Sequence, residues 1–139
     1  MEIDLDKLVP GAKYFRWKEI LKCNQWGVHV FPTDTQYLNI LKLVKKLDLI
    51  REYLDKPMHI TSGLRPNKYN KLIGGAKYSA HKLGMAADFY VKGLKADRVR
   101  EILVPVLNDF EIRMENLPGS NWVHIDIRPC DNTRRYFRP

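Results

Sequence analysis

In the stretch "SAHKLGMAADFY", His81 and Asp88 stand seven residues apart, with Gly84, Ala86 and Ala87 between them. A third candidate, His124, lies in "NWVHIDIR", with Asp126 two residues further on. Imidazole nitrogen and carboxylate oxygen are the donors a catalytic zinc ion takes, three from the protein with a fourth position left to water. Water on zinc is acidic enough to supply a nucleophile at neutral pH. Gly84 permits an unusual backbone turn, and the two alanines keep bulk away from the space between the donors. The competing reading is a polar loop that runs into a strand, and the spacing alone does not separate the two. His29, in an aromatic-flanked loop, and His59, at the start of a strand, read as surface or packing histidines.

The elements that must position these residues follow from hydrophobic periodicity. "GAKYFRWKEILKC" carries Tyr14, Trp17, Ile20 and Leu21 at helical spacing, and "NQWGVHVFPTD" is a loop with Gly and Pro as breakers. Thr33 or Asp34 can cap the next helix, "TQYLNILKLVKKLDLIREYLDK". Its apolar stripe is Leu38, Leu41, Leu43, Val44, Leu47, Ile50 and Leu54, and Pro57 ends it. "MHITSGLR" and "MAADFYV" read as strands, and "LKADRVREILVPVL" as a helix. "PNKYNKLIGGAKYSAHKLG" reads as a short helix followed by an irregular loop around Gly74 and Gly75. "FEIRMENLPGSNWVHIDIR" is two alternating runs around a Pro-Gly turn, the signature of a β-hairpin. Helices first and strands mostly later predict an α+β fold, an antiparallel β-sheet with helices packed on one side.

Strand alternation sorts the candidates. Val123, Ile125 and Ile127 share one face of the last run, and Trp122, His124, Asp126 and Arg128 the other. Phe110, Ile112 and Met114 oppose Glu111, Arg113 and Glu115 in the run before it. Ala87, Phe89 and Val91 oppose Asp88. The three apolar sets must enter one core, so Asp88 and His124 share the polar face.

The chain has 139 residues, 45% of them hydrophobic and 29% charged, which fits one globular domain spanning 1–139 with a core of its own. The formal net charge of +8 favours a polyanionic partner, such as nucleic acid, an anionic membrane surface or an acidic cell-wall polymer. No basic stretch with interleaved aromatics reads as a nucleic-acid module, so no specific nucleic acid is expected. No apolar run reaches the length of a membrane span, and the N-terminus lacks the charge-then-apolar pattern of a secretion signal. The expectation is a soluble protein made in the cytoplasm. Cys23 and Cys130 stand at no metal-ligand spacing and read as free thiols rather than a pair.

"SGLRPNKYNKLIGGAKYSAHKLGMAADF", followed at a distance by "NWVHIDIR", resembles the zinc D-alanyl-D-alanine carboxypeptidases and their relatives. These include the vancomycin-resistance D,D-dipeptidases and the phage L-alanyl-D-glutamate endolysins, which share a fold with the hedgehog signalling domain. Ser62, Gly63 and Arg65 match the S-G-x-R element. Ser79, His81, Gly84, Ala86 and Asp88 match S-x-H-x-x-G-x-A-x-D, and His124 with Asp126 matches the final H-x-D. The resemblance covers roughly residues 14–128.

The resemblance implies a monomeric peptidase acting on peptidoglycan stem peptides, with one zinc ion per chain held by His81, Asp88 and His124. It assigns Arg65 to a substrate carboxylate or oxyanion, which its planar fork suits. Ser79 reads as a structural residue whose hydroxyl satisfies loop backbone or steers a ligand toward substrate binding, and Trp122 as lining the cleft or covering the sheet. Many relatives carry the catalytic acid three residues before the last histidine, where this chain has Asn121, and an amide cannot take the proton. Glu115 is the replacement candidate, on the polar face and set opposite position 122 by the expected hairpin. Asp126 is expected to orient a ligand or pair with Arg113 or Arg128. A basic domain without a signal fits a phage or prophage protein that reaches the wall by holin-type release or on a virion. The alternative is a metal-containing wall- or ligand-binding module that has lost catalysis.

Overall fold

A computed structural model describes residues 2–23, 28–66, 71, 74 and 79–139. Most of the short helix and loop expected at 66–78 therefore lies outside the described residues. The elements are α1 (Trp17–Leu21), β1 (Lys22–Cys23), β2 (Val28–His29), α2 (Asp34–Leu54), β3 (Met58–Ser62), β4 (Ala86–Val91), α3 (Ala96–Leu103), α4 (Leu107–Phe110), β5 (Arg113–Glu115), β6 (Val123–Asp126) and β7 (Tyr136–Phe137). Strands β3 to β7 form one sheet in the order β3-β4-β6-β5-β7, and β1 and β2 pair antiparallel in a separate two-stranded sheet. The fold is α+β. Three of the four pairings in the large sheet are antiparallel, but β7 runs parallel to β5, so the sheet is mixed rather than purely antiparallel.

Helix α2 begins where its capping chemistry dictates. Thr33 Oγ1 accepts from the Gln36 N–H at 3.3 Å, and Gln36 Oε1 accepts from the Thr33 N–H at 2.8 Å. This reciprocal pair satisfies two donors that the first turn would otherwise leave open. The helix ends at Asp55, in the left-handed conformation with φ 51°, two residues before Pro57. Its buried face is Ile40, Leu43, Val44, Leu47, Ile50 and Leu54, whereas Leu38 at the expected stripe is 58% exposed. Helix α1 is shorter than its periodicity suggests, and Tyr14 lies outside it and is exposed. The preceding chain folds back on itself instead, through Val9 N–H to Phe15 C=O and Ala12 N–H to Val9 C=O. Pro105 closes α3 into a short 3-10 turn over Val104–Val106.

Ala87, Phe89, Val91, Met114, Val123 and Ile125 form the buried face of the sheet and join α1, α2 and α3 in one core. A fully buried aliphatic or aromatic side chain contributes about 2 kcal/mol, so this alternation fixes which face each strand turns inward. The opposite face carries Asp88, Arg113, Glu115, His124 and Asp126. Asp88 pairs with His124, Ala86 pairs with Asp126, and Arg113 pairs with Asp126 from the other side.

Gly63 couples this sheet to α1. A Cβ there would lie 2.3 Å from the carbonyl oxygen of Ile20, and the next residue, Leu64, donates its N–H to that same oxygen at 2.9 Å. No side chain fits this approach. Gly63→Ala is expected to lower stability by about 2–3 kcal/mol through overpacking, seen as a lower urea midpoint with an unchanged slope.

Candidate metal centre

Each donor is placed by a different piece of local structure. Asp88 and His124 face each other on β4 and β6, where the register makes them direct neighbours. Directly opposed residues on one sheet face have their side chains close together. His81 comes from a short 3-10 turn, Ala80–Leu83, that lies over this face. Ser79 caps the turn, its Oγ accepting from the His81 N–H at 3.2 Å. Gly84 ends it at φ 72°, and a Cβ there would lie 2.9 Å from Gln36 C=O on α2. Helix α2 also holds the turn by its carbonyls, with Gln36 Nε2 donating to Lys82 C=O and Asn39 Nδ2 to Leu83 C=O, each at 2.9 Å.

The donor atoms converge. His81 Nε2 lies 3.1 Å and His124 Nδ1 2.7 Å from Asp88 Oδ1. One ligand atom from each of the three residues falls within 4.8 Å of the others. Tetrahedral zinc with ligands at about 2.0–2.1 Å needs its donors roughly 3.3 Å apart, so small shifts admit an ion. The outer nitrogens support the same reading. His81 Nδ1 lies 2.8 Å from Gly63 C=O, which can only accept, so Nδ1 carries a proton and Nε2 is the nitrogen left to bind an ion or, without one, to donate to Asp88 when the ring is charged. His124 Nε2 lies 3.4 Å from Asp126 Oδ2 and 3.9 Å from Glu115 Oε1. Asp126 is itself fixed by Arg113, whose Nε and Nη2 donate to its two oxygens at 2.8 and 3.0 Å, and by the Arg128 N–H at 3.2 Å. The residues present fit a His-Asp-His metal site.

A profile of the M15 peptidases matches residues 13–126. The chain belongs to the M15 peptidase family. A curated relative, the zinc D-Ala-D-Ala carboxypeptidase of Streptomyces albus G, is 34% identical over 76 residues. That match takes in 53% of this M15 chain and 30% of the relative, so the chain spans less than a third of the relative's length.

The remaining candidates divide. Glu115 lies beside His124, but not through the expected pairing. The observed register sets Arg113 opposite Asp126 and Met114 opposite Ile125, and one further step puts Glu115 opposite His124 rather than position 122. A cavity of about 190 Å³ lies here, its walls including Ser79, Glu115, His124, Asp126, Arg128 and Phe137. Arg65 and Trp122 are not among the residues lining it. Arg65 is half-buried and its N–H donates to His81 C=O at 3.0 Å, which ties the S-G-x-R segment to the histidine turn. Trp122 is 42% exposed. Asn121 faces a different surface cleft, with Tyr90 and Asp97. His29 and His59 are exposed, and His59 stacks on Tyr90 at 4.9 Å. Cys130 is a free cysteine. Phe137 was not visible in the sequence, because β7 is too short to alternate. Its ring packs edge-on to His124 at 6.3 Å and beneath the Arg113 guanidinium at 4.1 Å.

Without metal the cluster is held by charge. Burial alone would raise the Asp88 carboxyl, but hydrogen bonds from His124 and His81 outweigh it and hold the group well below the usual carboxylate range. Burial opposes a charged His124, but Asp126 and Asp88 overcome it and raise the imidazole to about 9. A folded value above the ordinary 6.5 means His124 stabilises the metal-free fold fully below about pH 6.5 and loses that contribution as pH rises through 9. Thermal denaturation of metal-free protein should therefore show the melting temperature falling from pH 6.5 to 10. The fall should disappear in His124→Gln, and an unchanged slope there would assign the pH dependence to other groups.

Proposed function

We propose that this chain is a zinc-dependent peptidase that hydrolyses peptidoglycan stem peptides, with a D,D-carboxypeptidase as the leading form. The observation that carries this reading is one carboxylate between two imidazoles with a second carboxylate, Glu115, 3.9 Å from the His124 ring on the wall of the same cavity. Membership of a peptidase family and similarity to a zinc D-Ala-D-Ala carboxypeptidase support the choice of substrate class. His81, Asp88 and His124 would hold the ion, and Asp126 accepts from His124 Nε2–H and orients that ring. A zinc ion there would supply a Lewis acid for the scissile carbonyl and the attacking water.

Glu115 would accept a proton from the attacking water and return it to the leaving amine. Its side chain is 21% exposed, so it reaches the cavity while staying partly shielded from bulk water. Arg65, anchored beside His81, binds the terminal carboxylate of the peptide through its two-pronged guanidinium. Ser79 holds the histidine turn in place. The position of Glu115 makes an acid at Asn121 unnecessary, which weighs against a module that has lost catalysis. An endolysin-type endopeptidase would use the same groups and cut within the stem instead of removing its terminal residue, so the products separate the two forms.

The test is release of amino acids or peptides from purified stem peptides and peptidoglycan, with zinc and with a chelator. Glu115→Gln should keep zinc at one equivalent while kcat falls at least a hundredfold, the size of effect expected of a positioned proton acceptor. His81→Ala should lose both zinc and activity. Full activity in Glu115→Gln would move the base elsewhere. Zinc-loaded wild-type protein that cleaves no stem peptide would leave only a binding module.

A further inference from the structure

The metal row of the sheet has a neighbour. Two residues along β4 from Asp88, about 7 Å at strand rise, is Tyr90, on the same face. The register pairs Tyr90 with His59 on β3, and one step beyond Phe89–Val123 sets Trp122 across from it. A row of three ring-bearing residues, His59, Tyr90 and Trp122, therefore runs beside the row formed by Asp88, His124 and Glu115. Two strand spacings make it about 10 Å long. Tyr90 is 46% and Trp122 42% exposed, and His59 is exposed as well. These rings are not core residues of the sheet.

A surface cleft of about 430 Å³ opens beside Tyr90, lined also by Leu94, Lys95, Asp97, Ser120 and Asn121. Its composition is informative. Tyr90, with Val91, Leu94 and Ala96 on the apolar side, faces an amide, a hydroxyl, a carboxylate and an ammonium, with one charge of each sign. An anion would want an excess of cations, and an apolar side chain would want no polar rim. A neutral polyhydroxylated ring suits both halves, with its C–H face on the aromatic and its hydroxyl and acetamido groups on the polar side chains. The polar rim is rigid. Asp97 Oδ1 accepts from the Gly119 N–H at 3.0 Å and is paired with Arg100, and Arg100 Nη1 donates to Trp122 C=O at 2.8 Å and Ser120 Oγ at 3.1 Å. The nearly buried Arg100 thus fixes the 119–122 turn that carries Asn121 and Trp122.

We propose that the cleft between Tyr90 and the 119–122 turn is a pyranose-binding subsite that holds an N-acetylated glycan strand beside the metal centre. The inference rests on the peptidase reading for its choice of glycan, since a stem peptide in the site brings its sugar backbone with it. Tyr90 supplies the stacking wall of the cleft, and Trp122, which does not line it, continues the row of rings alongside. Asn121, with Asp97, reads the hydroxyl and acetamido groups.

Binding is tested apart from hydrolysis, on metal-free protein, with tri-N-acetylchitotriose as the probe and amide NMR shifts as the readout. The expected result is saturable shifts centred on Tyr90, Asp97, Asn121 and Trp122. Tyr90→Ala and Asn121→Ala should each weaken binding at least tenfold, and Tyr90→Phe should stay within about threefold of wild type. The same spectra report whether each variant is folded. Absence of saturation at millimolar sugar in folded wild type, shifts centred elsewhere, or unchanged affinity in both alanine variants would overturn the subsite. Because no catalysis is measured, sugar binding by a protein that cleaves no stem peptide would overturn the peptidase reading and leave the subsite standing.

Discussion

Two imidazoles converge on one carboxylate oxygen, Oδ1 of Asp88. The rest of the polar face is arranged around that point. A buried carboxylate without partners costs several kcal/mol, so Asp88 needs either protonated rings or a cation between the donors. His124 is supplied by strand register alone. His81 arrives on a separate turn and has to be held from three sides, by Gly63 at its ring, by Arg65 and Gly84 at its carbonyl, and by Gln36 and Asn39 of α2 along the turn.

This arrangement explains the small residues around the site. Gly63 allows the S-G-x-R segment to run against α1 and still present its carbonyl to His81, and any Cβ would separate the two. Gly84 both adopts a positive φ and passes under α2. The strain of a tight turn is thus placed where glycine carries little of it. Outward from the cluster, charges alternate: Asp126 faces His124, Arg113 clamps Asp126, and Phe137 lies under Arg113. A chain of this kind fixes ring orientation without placing an unpaired charge in the interior.

Much of this was legible in the sequence. Helix α2 followed from periodicity, and of the two capping candidates the structure uses Thr33, while alternation alone put Asp88, His124, Arg113 and Glu115 on one face. The register of β5 on β6 was not legible, because residues 116–122 form an irregular connection whose length does not set the pairing, so Glu115 was placed opposite position 122 instead of His124. β7 was hidden because two residues show no periodicity. Its place is set by Met114 N–H to Arg135 C=O and Asn116 N–H to Phe137 C=O, contacts between segments some twenty residues apart. The shortened α1 had a similar cause, as backbone groups of residues 9–15 bond to one another in turns that side-chain periodicity does not register.

Which atoms would hold a metal ion decides the chemistry of this face. Zinc-edge X-ray absorption on protein loaded with one equivalent of zinc measures this directly. It should give four nitrogen or oxygen neighbours at about 2.0–2.1 Å, with the outer scattering of two imidazole rings, and His124→Ala should remove one ring. Sulfur at about 2.3 Å, or fewer than two imidazoles in the wild-type protein, would contradict a His-Asp-His site.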